Sequence, residues 1–547
     1  MSTSALSIAI GGNNPPLKNM SVNDVLKESV DNFPSKPAVI SVWQNKILSF
    51  QDLDRLSKDV ASALLASGIL EGDRIGIWSA NRYEWVVVQF AAAKIGAILV
   101  NINPAYRSTE LGYVIEHSGC KALFLHPNFR KFDCLGAAQQ IIKNSKYLKL
   151  LFTFGDEKYS GSTSWNELLE NPVKTSHQDI ETLSDACKPN QSVSIQYTSG
   201  TTGNPKGATL TNFNLVNNAI QISYRLQITY LDKVCLPVPM FHCFGMVIGV
   251  LGAFSVGAAT VFPAETFDAK SCLDAVEREG CSAIYGVPMM FIAMLNLPEF
   301  NSYDLKTLRT GLMGGAPCPA EILRAVIDRM NMEEMSVVYG MTETSPISLQ
   351  TTLLDTFEQR VETVGSPLPH VQVKVVDPIS GSTLSKGITG ELCVKGYLVM
   401  PGYWQNDEAT KNAIDADGWM HTGDLAVMRS DGCVAIVGRL KDVVIRGGEN
   451  IFPREIEEFL HTIPEIAEAQ VFGIPDELYG EQLCAWIRLK HGATLDVDSL
   501  RAKCKGNIAS YKIPSIVRVV DDYPTTASGK VQKFRMREIE VDGKSCN

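Results

Sequence analysis

Tyr197-Thr-Ser-Gly-Thr-Thr-Gly-Asn-Pro-Lys-Gly207 is the stretch on which the reading of this chain turns. Before it, Ser192-Val-Ser-Ile-Gln196 alternates in polarity and predicts a strand. After it, Ala208 to Tyr224 predicts a helix, so the expected unit is strand, loop, helix. Glycines let backbone N–H groups turn inward with no Cβ in the way. A row of such groups, joined by Ser and Thr hydroxyls and one lysine, makes a nest for phosphate. Thr198, Ser199, Gly200, Thr201, Thr202, Gly203 and Lys206 are therefore candidate phosphate ligands. The ordinary G-x-x-x-x-G-K-[ST] loop does not fit, because Gly203 stands only three residues before Lys206 and Gly207 follows it. The alternative is a Thr/Gly turn with no ligand, against which the skewed composition of the loop argues.

Outward from this loop the chain alternates strands and helices. The helix expected over Val22–Phe33 has Ser21 as its N-cap, and the next helix opens on Ser49 with Asp52 three residues on. Strands at Arg74–Trp78, Ala97–Val100 and Ala122–Leu125 alternate with helices at Tyr83–Ile95 and Ser108–Ser118. A second round follows the loop, with strands near Val234, Ala283, Leu308 and Ser336 and a helix expected over Gly245–Ser255. Such alternation predicts sheets covered by helices. From Val361 to Gly438 long helices vanish, which marks a small β subdomain. After Arg439 a compact α+β unit is expected. The fold class is α/β: a large N-terminal domain of two helix-covered sheets plus a small β subdomain, then a small α+β C-terminal domain. The expected bounds are 1–438, a hinge at 439–442, and 443–547.

With 547 residues the chain exceeds a single ordinary core, and its net charge of −10 argues against a nucleic-acid partner. The 13 cysteines show no C-x-x-C and no zinc-like spacing, so a cysteine metal framework is not expected, and reduced thiols fit a reducing compartment. Met1–Leu17 carries neither the charged start of a secretory signal nor the arginines of a mitochondrial presequence. The uncharged run Val234–Ala264 is broken by Pro237, Pro239 and four glycines, so a buried helix and strand are expected there, with no transmembrane segment. An intracellular location is expected, cytoplasm or mitochondrion; monomer and homodimer both stay open.

Several further clusters carry chemistry. Thr342-Glu343 follows a strand, where open α/β sheets bind ligands, and one carboxylate with nucleotide oxygens is the usual way to hold Mg²⁺. Taken alone, Glu343 reads first as a solvated surface residue. Gly314-Gly315-Ala316-Pro317 lets backbone approach a flat ring, and is also an ordinary turn. Thr422-Gly-Asp424 offers a carboxylate to ribose hydroxyls and is also a common turn. His242 stands among aromatics in Pro239-Met-Phe-His-Cys-Phe-Gly245, where a core histidine is the default.

Taken together and in order, these motifs resemble the adenylate-forming superfamily: acyl-CoA synthetases, aryl-CoA ligases, luciferases and peptide-synthetase adenylation domains. The resemblance runs from about residue 20 to 540 and lies nearest the medium-chain acyl-CoA synthetase branch. It is carried by the loop at 197–207, Tyr339-Gly340-Met-Thr342-Glu-Thr344, Gly418-Trp-Met-His-Thr-Gly-Asp424, Gly438-Arg-Leu-Lys-Asp442 and Pro524-Thr-Thr-Ala-Ser-Gly-Lys530. The resemblance implies ATP, Mg²⁺ and CoA. It implies that Tyr339 stacks on adenine beside Gly315–Pro317, that Thr342 and Glu343 meet the α-phosphate and the metal, and that Asp424 and Arg439 meet the ribose or phosphate. It further implies a pivot at Lys441, a catalytic Lys530 on a mobile C-terminal domain, and a pantetheine tunnel at Gly448 and Glu449. His242 and Val287 would border the acyl pocket. Arg446, Lys503, Lys505 and Lys512 are candidate CoA-phosphate contacts, or a solvated basic face. The implied activity is fatty acid–CoA ligation through an acyl-adenylate, medium chains favoured. Alternatives are aryl-CoA or other carboxylate–CoA ligation, or luciferase-like adenylate oxidation.

Overall fold

The computed structural model describes residues 5–170, 175–198, 205–446, 449–490, 492–525 and 531–544. The chain divides into two compact units, residues 9–373 with 394–420, and residues 1–8 with 374–393 and 421–547. The boundary expected after Gly438 falls inside the second unit, which takes in strands that precede it.

The larger unit is built on two sheets. In the first, the order is Thr163–Ser164, Leu150–Thr153, Cys120–Leu125, Arg74–Trp78, Ile98–Ile102, Ser192–Thr198, Lys206–Thr211, Gly402–Tyr403. Its pairs are parallel up to Ser192–Thr198, and the last two strands run antiparallel. In the second, Glu334–Gly340, Thr310–Gly314, Ala283–Gly286, Lys233–Cys235, Ala259–Phe262 and Pro37–Ser41 lie side by side and parallel. Ile347–Gln350 and Lys46–Ser49 flank this set antiparallel. The parallel strands are buried runs of Val, Ile, Leu and Ala, as expected where helices cover both faces. The helix Tyr83–Lys94 is buried almost all round, which its near-continuous apolar sequence dictates. Ser21 and Ser49 each form the expected capping box.

Four stretches depart from expectation. Lys206–Thr211 is a strand, so the phosphate loop closes a hairpin instead of leading into a helix. Ala208-Thr-Leu-Thr211 alternates small or apolar with β-branched residues and finds a partner on each side, Gln196 and Tyr403 facing Ala208. The helix begins only at Asn212, where Thr211 and Asn214 cap each other. The segment expected as an α-helix from Gly245 is a π-helix over Phe244–Leu251. A Cβ on Gly249 would stand 2.4 Å from Leu236, so the wide turn is pressed against the neighbouring strand. Thr422–Asp424 lies within the strand Met420–Met428, not in a free turn. The polar stretch after Gly155, whose composition reads as a surface excursion, contains a strand, Thr163–Ser164, and the helix Trp165–Glu170, anchored by the buried Trp165.

The smaller unit holds most of a five-stranded sheet ordered Ile8–Ile10, Val371–Val376, Gly390–Gly396, Met420–Met428, Val434–Arg439. Its C-terminal part is a second sheet, in which the long strands Ile466–Asp476 and Gly480–Leu489 pair antiparallel. The helix Pro453–His461 packs on that sheet through Ile456 and Leu460. A further helix, Lys533–Lys544, was not anticipated; Met536 fixes it beside Phe472, Ile474 and Trp486. No helix among the described residues is long and apolar enough to cross a membrane.

Candidate active site

In the larger unit, three adjacent parallel strands end together. Gly286 pairs with Met313 and Gly314 with Val338, so Val287, Gly315–Pro317 and Tyr339–Gly340 emerge side by side at the carboxyl ends. A Cβ on Gly315 would meet Val287 at 3.4 Å, and Gly315 itself has φ +80. Gly315, Ala316 and Pro317 are exposed there. Gly340 is dictated by packing: a Cβ would lie 1.9 Å from the Pro346 carbonyl oxygen.

Beyond Gly340 the backbone makes one 3-10 turn, Thr342–Thr344. Thr344 ties this turn through its hydroxyl to the Met341 and Pro346 carbonyls. That turn sends Glu343 inward, where only 6% of its surface is exposed. Its carboxylate is met by two hydroxyls: Tyr403 donates to Oε1 at 2.8 Å, and Thr198 at 3.4 Å. Thr198 ends the strand entering the signature loop and Lys206 opens the strand leaving it, in register with each other. Lys206 places its ammonium 5.2 Å above the Tyr403 ring. Burial, then the charge of Glu343, pushes the Tyr403 phenol far above its ordinary range, so it stays protonated and donates. Sequence reasoning missed Tyr403; only the pairing of Gly402–Tyr403 with Lys206–Thr211 brings it here.

The segment before the π-helix reaches the same strand. Cys243 donates its thiol to Gln196 Oε1 at 2.9 Å, two residues before Thr198. Burial chiefly, and the charge on Glu343 next, raise the Cys243 thiol. His242 is half-buried with its ring 4.2 Å from Phe241. Val287 is half-buried, whereas Met289, two residues on, is 45% exposed. Behind the hairpin, Tyr113, His117, Lys206, Trp404 and Asn406 line a cleft of about 300 Å³. His117 Nδ1 lies 2.8 Å from the Tyr197 hydroxyl, and burial lowers its pKa.

In the smaller unit, Asp424 and Arg439 face each other across paired strands, Arg439 Nε to Asp424 Oδ1 being 3.2 Å. The strand segment that carries Asp424 is held from the next strand: Thr422 donates to the Leu392 carbonyl and Gly423 N–H to Glu391 Oε1. Gly423 has φ +70, which favours glycine at this kink. Lys441 lies exposed in a 3-10 turn, Leu440–Asp442, and Glu449 is exposed on the strand Glu449–Ile451. Of the basic CoA candidates, Lys503 pairs with Glu465 at 2.7 Å and Lys512 with Glu455 at 2.5 Å. Arg446 donates to the Tyr511 carbonyl. The two lysine charges are therefore answered by carboxylates, and Arg446 is met by a backbone carbonyl. Ser199, Gly200, Thr201, Thr202, Gly203, Gly448 and Lys530 lie outside the described residues.

Comparison with known proteins adds to this geometry. Residues 26–404 match the family described as AMP-binding enzyme, and residues 455–530 its C-terminal domain. The chain is 44% identical over 534 residues to the putative acyl-CoA synthetase YngI of Bacillus subtilis, covering 95% of this chain and 97% of that protein. It is 39% identical to the mitochondrial medium-chain acyl-CoA ligase ACSF2 of Danio rerio, covering 98% of this chain and 91% of the relative. Among solved structures, the anthranilate CoA ligase AuaEII in complex with anthranoyl-AMP superposes with a TM-score of 0.88 at 25% identity, covering 97% and 99% of the two chains. ATP-bound MatB from Rhodopseudomonas palustris gives 0.85 at 28%, covering 96% and 99%.

Proposed function

The chain belongs to the AMP-binding enzyme family, and from that premise we propose that it is an ATP-dependent, AMP-forming acid–CoA ligase that favours medium-chain fatty acids. The observation that supports this most directly is Glu343: a buried carboxylate, fixed by Thr198 and Tyr403, beside the strand ends that carry Tyr339 and Gly315. In the first half-reaction a fatty carboxylate oxygen attacks the α-phosphorus of ATP and pyrophosphate leaves. In the second, the CoA sulfur attacks the acyl carbonyl and AMP leaves.

The donor set at Glu343 is all hard oxygen, from a carboxylate and a threonine hydroxyl, and fits Mg²⁺. Glu343 would hold it, and the cation would supply charge neutralisation at the phosphates. The chain's own contribution is positioning. Tyr403 and Thr198 fix one carboxylate oxygen, the strand ends seat the adenine, and Asp424 with Arg439 binds ribose hydroxyls or phosphate. His242 and Val287 border the acyl chain, each buried methylene adding about 0.8 kcal/mol until the pocket is full. Residues 1–438 act as the adenylation domain, and 443–547 turn about Lys441 between the half-reactions. Lys530 serves the first step by neutralising charge between carboxylate and α-phosphate. Gly448 and Glu449 line the path of the CoA thiol in the second. The relatives named mitochondrial make cytoplasm and mitochondrion the compartments to compare by fractionation.

The test is a two-stage assay on purified protein across carboxylic acids of increasing length. Acid-dependent ATP–pyrophosphate exchange and CoA-dependent AMP release are expected, with kcat/KM rising from acetate to about six to ten carbons. A clear preference for acetate or aromatic acids would overturn the chain-length reading. Lys530→Ala should lose exchange yet convert supplied acyl-adenylate and CoA to thioester. Gly448→Leu should do the reverse, and equal loss of both steps in both folded variants would remove the domain turn.

A further inference from the structure

On the sheet of the smaller unit, three side chains of three different ligand types converge. Glu391, Cys393 and His421 bring a carboxylate oxygen, a thiol sulfur and an imidazole nitrogen within 4.8 Å of one another. Residues 391 and 393 are two apart on the strand Gly390–Gly396, so they share a face. The neighbouring strand Met420–Met428 supplies His421. All three stand on sheet strands, not on a loop tip.

The distances define the arrangement. His421 Nδ1 lies 2.8 Å from Glu391 Oε2 and 3.6 Å from Cys393 Sγ. One imidazole nitrogen carries a single proton or a single lone pair, so it cannot answer both neighbours with hydrogen bonds at once. Two ligand atoms converging on one nitrogen is what a cation between them would organise. In a tetrahedral site with metal–sulfur about 2.3 Å and metal–nitrogen about 2.0–2.1 Å, sulfur and nitrogen stand about 3.6 Å apart. The oxygen–nitrogen edge needs only a small opening to match. Glu391 is 8% exposed and Cys393 fully buried, while the His421 side chain is 31% exposed and gives the group an open side. The ordinary reading is that Glu391 simply ties down Gly423 N–H and the His421 ring. The buried Cys393 thiol stands with that pair as a third donor of a different kind.

We propose that Glu391, Cys393 and His421 form a binding site for a thiophilic divalent cation of the zinc class, with water as fourth ligand. On binding, the Cys393 thiol releases its proton to solvent. His421 binds through the Nδ1 lone pair and carries its proton on Nε2. The thiolate and imidazole donors set this site apart from the all-oxygen set at Glu343, since Mg²⁺ does not seek sulfur. The site cross-braces two strands of one sheet, next to the strand segment that carries Asp424.

The experiment is a Co²⁺ titration of the full-length chain, stripped with chelator and followed by absorption. Thiolate-to-cobalt charge transfer should grow to one equivalent and be abolished by an equivalent of Zn²⁺. Cys393→Ala should lose the band, while Cys318→Ala, at a partly exposed cysteine in the other unit, should retain it. His421→Gln should weaken Zn²⁺ at least about tenfold in competition with a chromophoric chelator. Because His421 is partly exposed, that variant keeps the test open if Cys393→Ala does not fold. A wild-type protein without the band, or a band unchanged in both folded variants, overturns the proposal.

Discussion

Glu343 and Asp424 are both carboxylates placed by sheet strands, one just past a strand end and one within a strand, yet their settings are opposed. Glu343 is 6% exposed, and among the described residues its carboxylate is met by two neutral hydroxyls and by no ion pair. Asp424 is matched across the ladder by the guanidinium of Arg439, itself 52% exposed. A buried, uncompensated carboxylate is a place for a cation to complete; a charge pair at the surface is a place where a polar ligand can exchange for the partner. In the proposed reaction this divides the labour into electrostatic stabilisation at Glu343 and recognition at Asp424 and Arg439. The division is testable because the two settings predict different sizes of loss.

The largest effect belongs to Glu343→Gln. The substitution is nearly isosteric and keeps an acceptor for Tyr403, but it removes the charge. Acid-dependent ATP–pyrophosphate exchange should fall about 10²–10³-fold, the usual cost of one electrostatic stabiliser. Its melting temperature should stay within a few degrees of the parent. Near-normal exchange would erase the contrast with Asp424.

Next comes Tyr403→Phe, which leaves the ring beneath Lys206 and removes the 2.8 Å donor to Glu343. Hydrogen bonds to charged groups contribute about 1.5–3 kcal/mol, so exchange should drop about 10–10²-fold. The Mg²⁺ concentration needed for half-maximal exchange should also rise, which a purely structural role for Tyr403 would not produce. An unchanged Mg²⁺ titration would show that Glu343 is oriented by Thr198 and its backbone alone.

How far the sequence reached follows the same divide. Thr198 was legible from its glycine- and hydroxyl-rich loop, whereas Glu343, Asp424 and Arg439 were legible only through motifs that resemble those of the family; the structure brings Thr198 to Glu343 and Asp424 to Arg439. Tyr403 was not legible. Gly402-Tyr403-Trp404 lies far along the chain, and only an antiparallel pairing with Lys206–Thr211 delivers the phenol. The same long-range pairing turned Ala208–Thr211 from expected helix into strand: local propensity was ambiguous, and two flanking strands decided it. Glu391, Cys393 and His421 escaped a search for cysteine spacing because their grouping exists only across two strands.

The glycines sharpen the comparison. At Gly340 a Cβ would collide with backbone, 1.9 Å from the Pro346 carbonyl oxygen, so Gly340→Ala must shift the turn that carries Glu343. It should cost about 1–3 kcal/mol in urea unfolding and lower exchange as well. At Gly423 nothing lies within 4 Å, and only φ +70 resists a side chain. Gly423→Ala should cost about 1–2 kcal/mol, and Gly423→Asn less, because asparagine tolerates the left-handed region. Equal losses in Gly340→Ala and Gly423→Asn would mean that close packing does not distinguish the two positions.

The smallest stability change is expected at Arg439. Its pairing with Asp424 looks like a structural bond, but half of the Arg439 side chain is exposed to water, where an ion pair contributes about 0.2–1 kcal/mol at most. Arg439→Ala should therefore leave the urea midpoint almost unmoved, and added salt should narrow even that difference. If Arg439 and Asp424 serve recognition, the same variant should raise the KM for ATP by up to about 10–10²-fold, the 1.5–3 kcal/mol of a lost charged hydrogen bond, with kcat changing less. A KM shift without a stability shift is the signature of a pair kept for its ligand. The opposite pattern, lower stability with unchanged KM, would make the pair a brace of the sheet and leave nucleotide recognition in the larger unit alone.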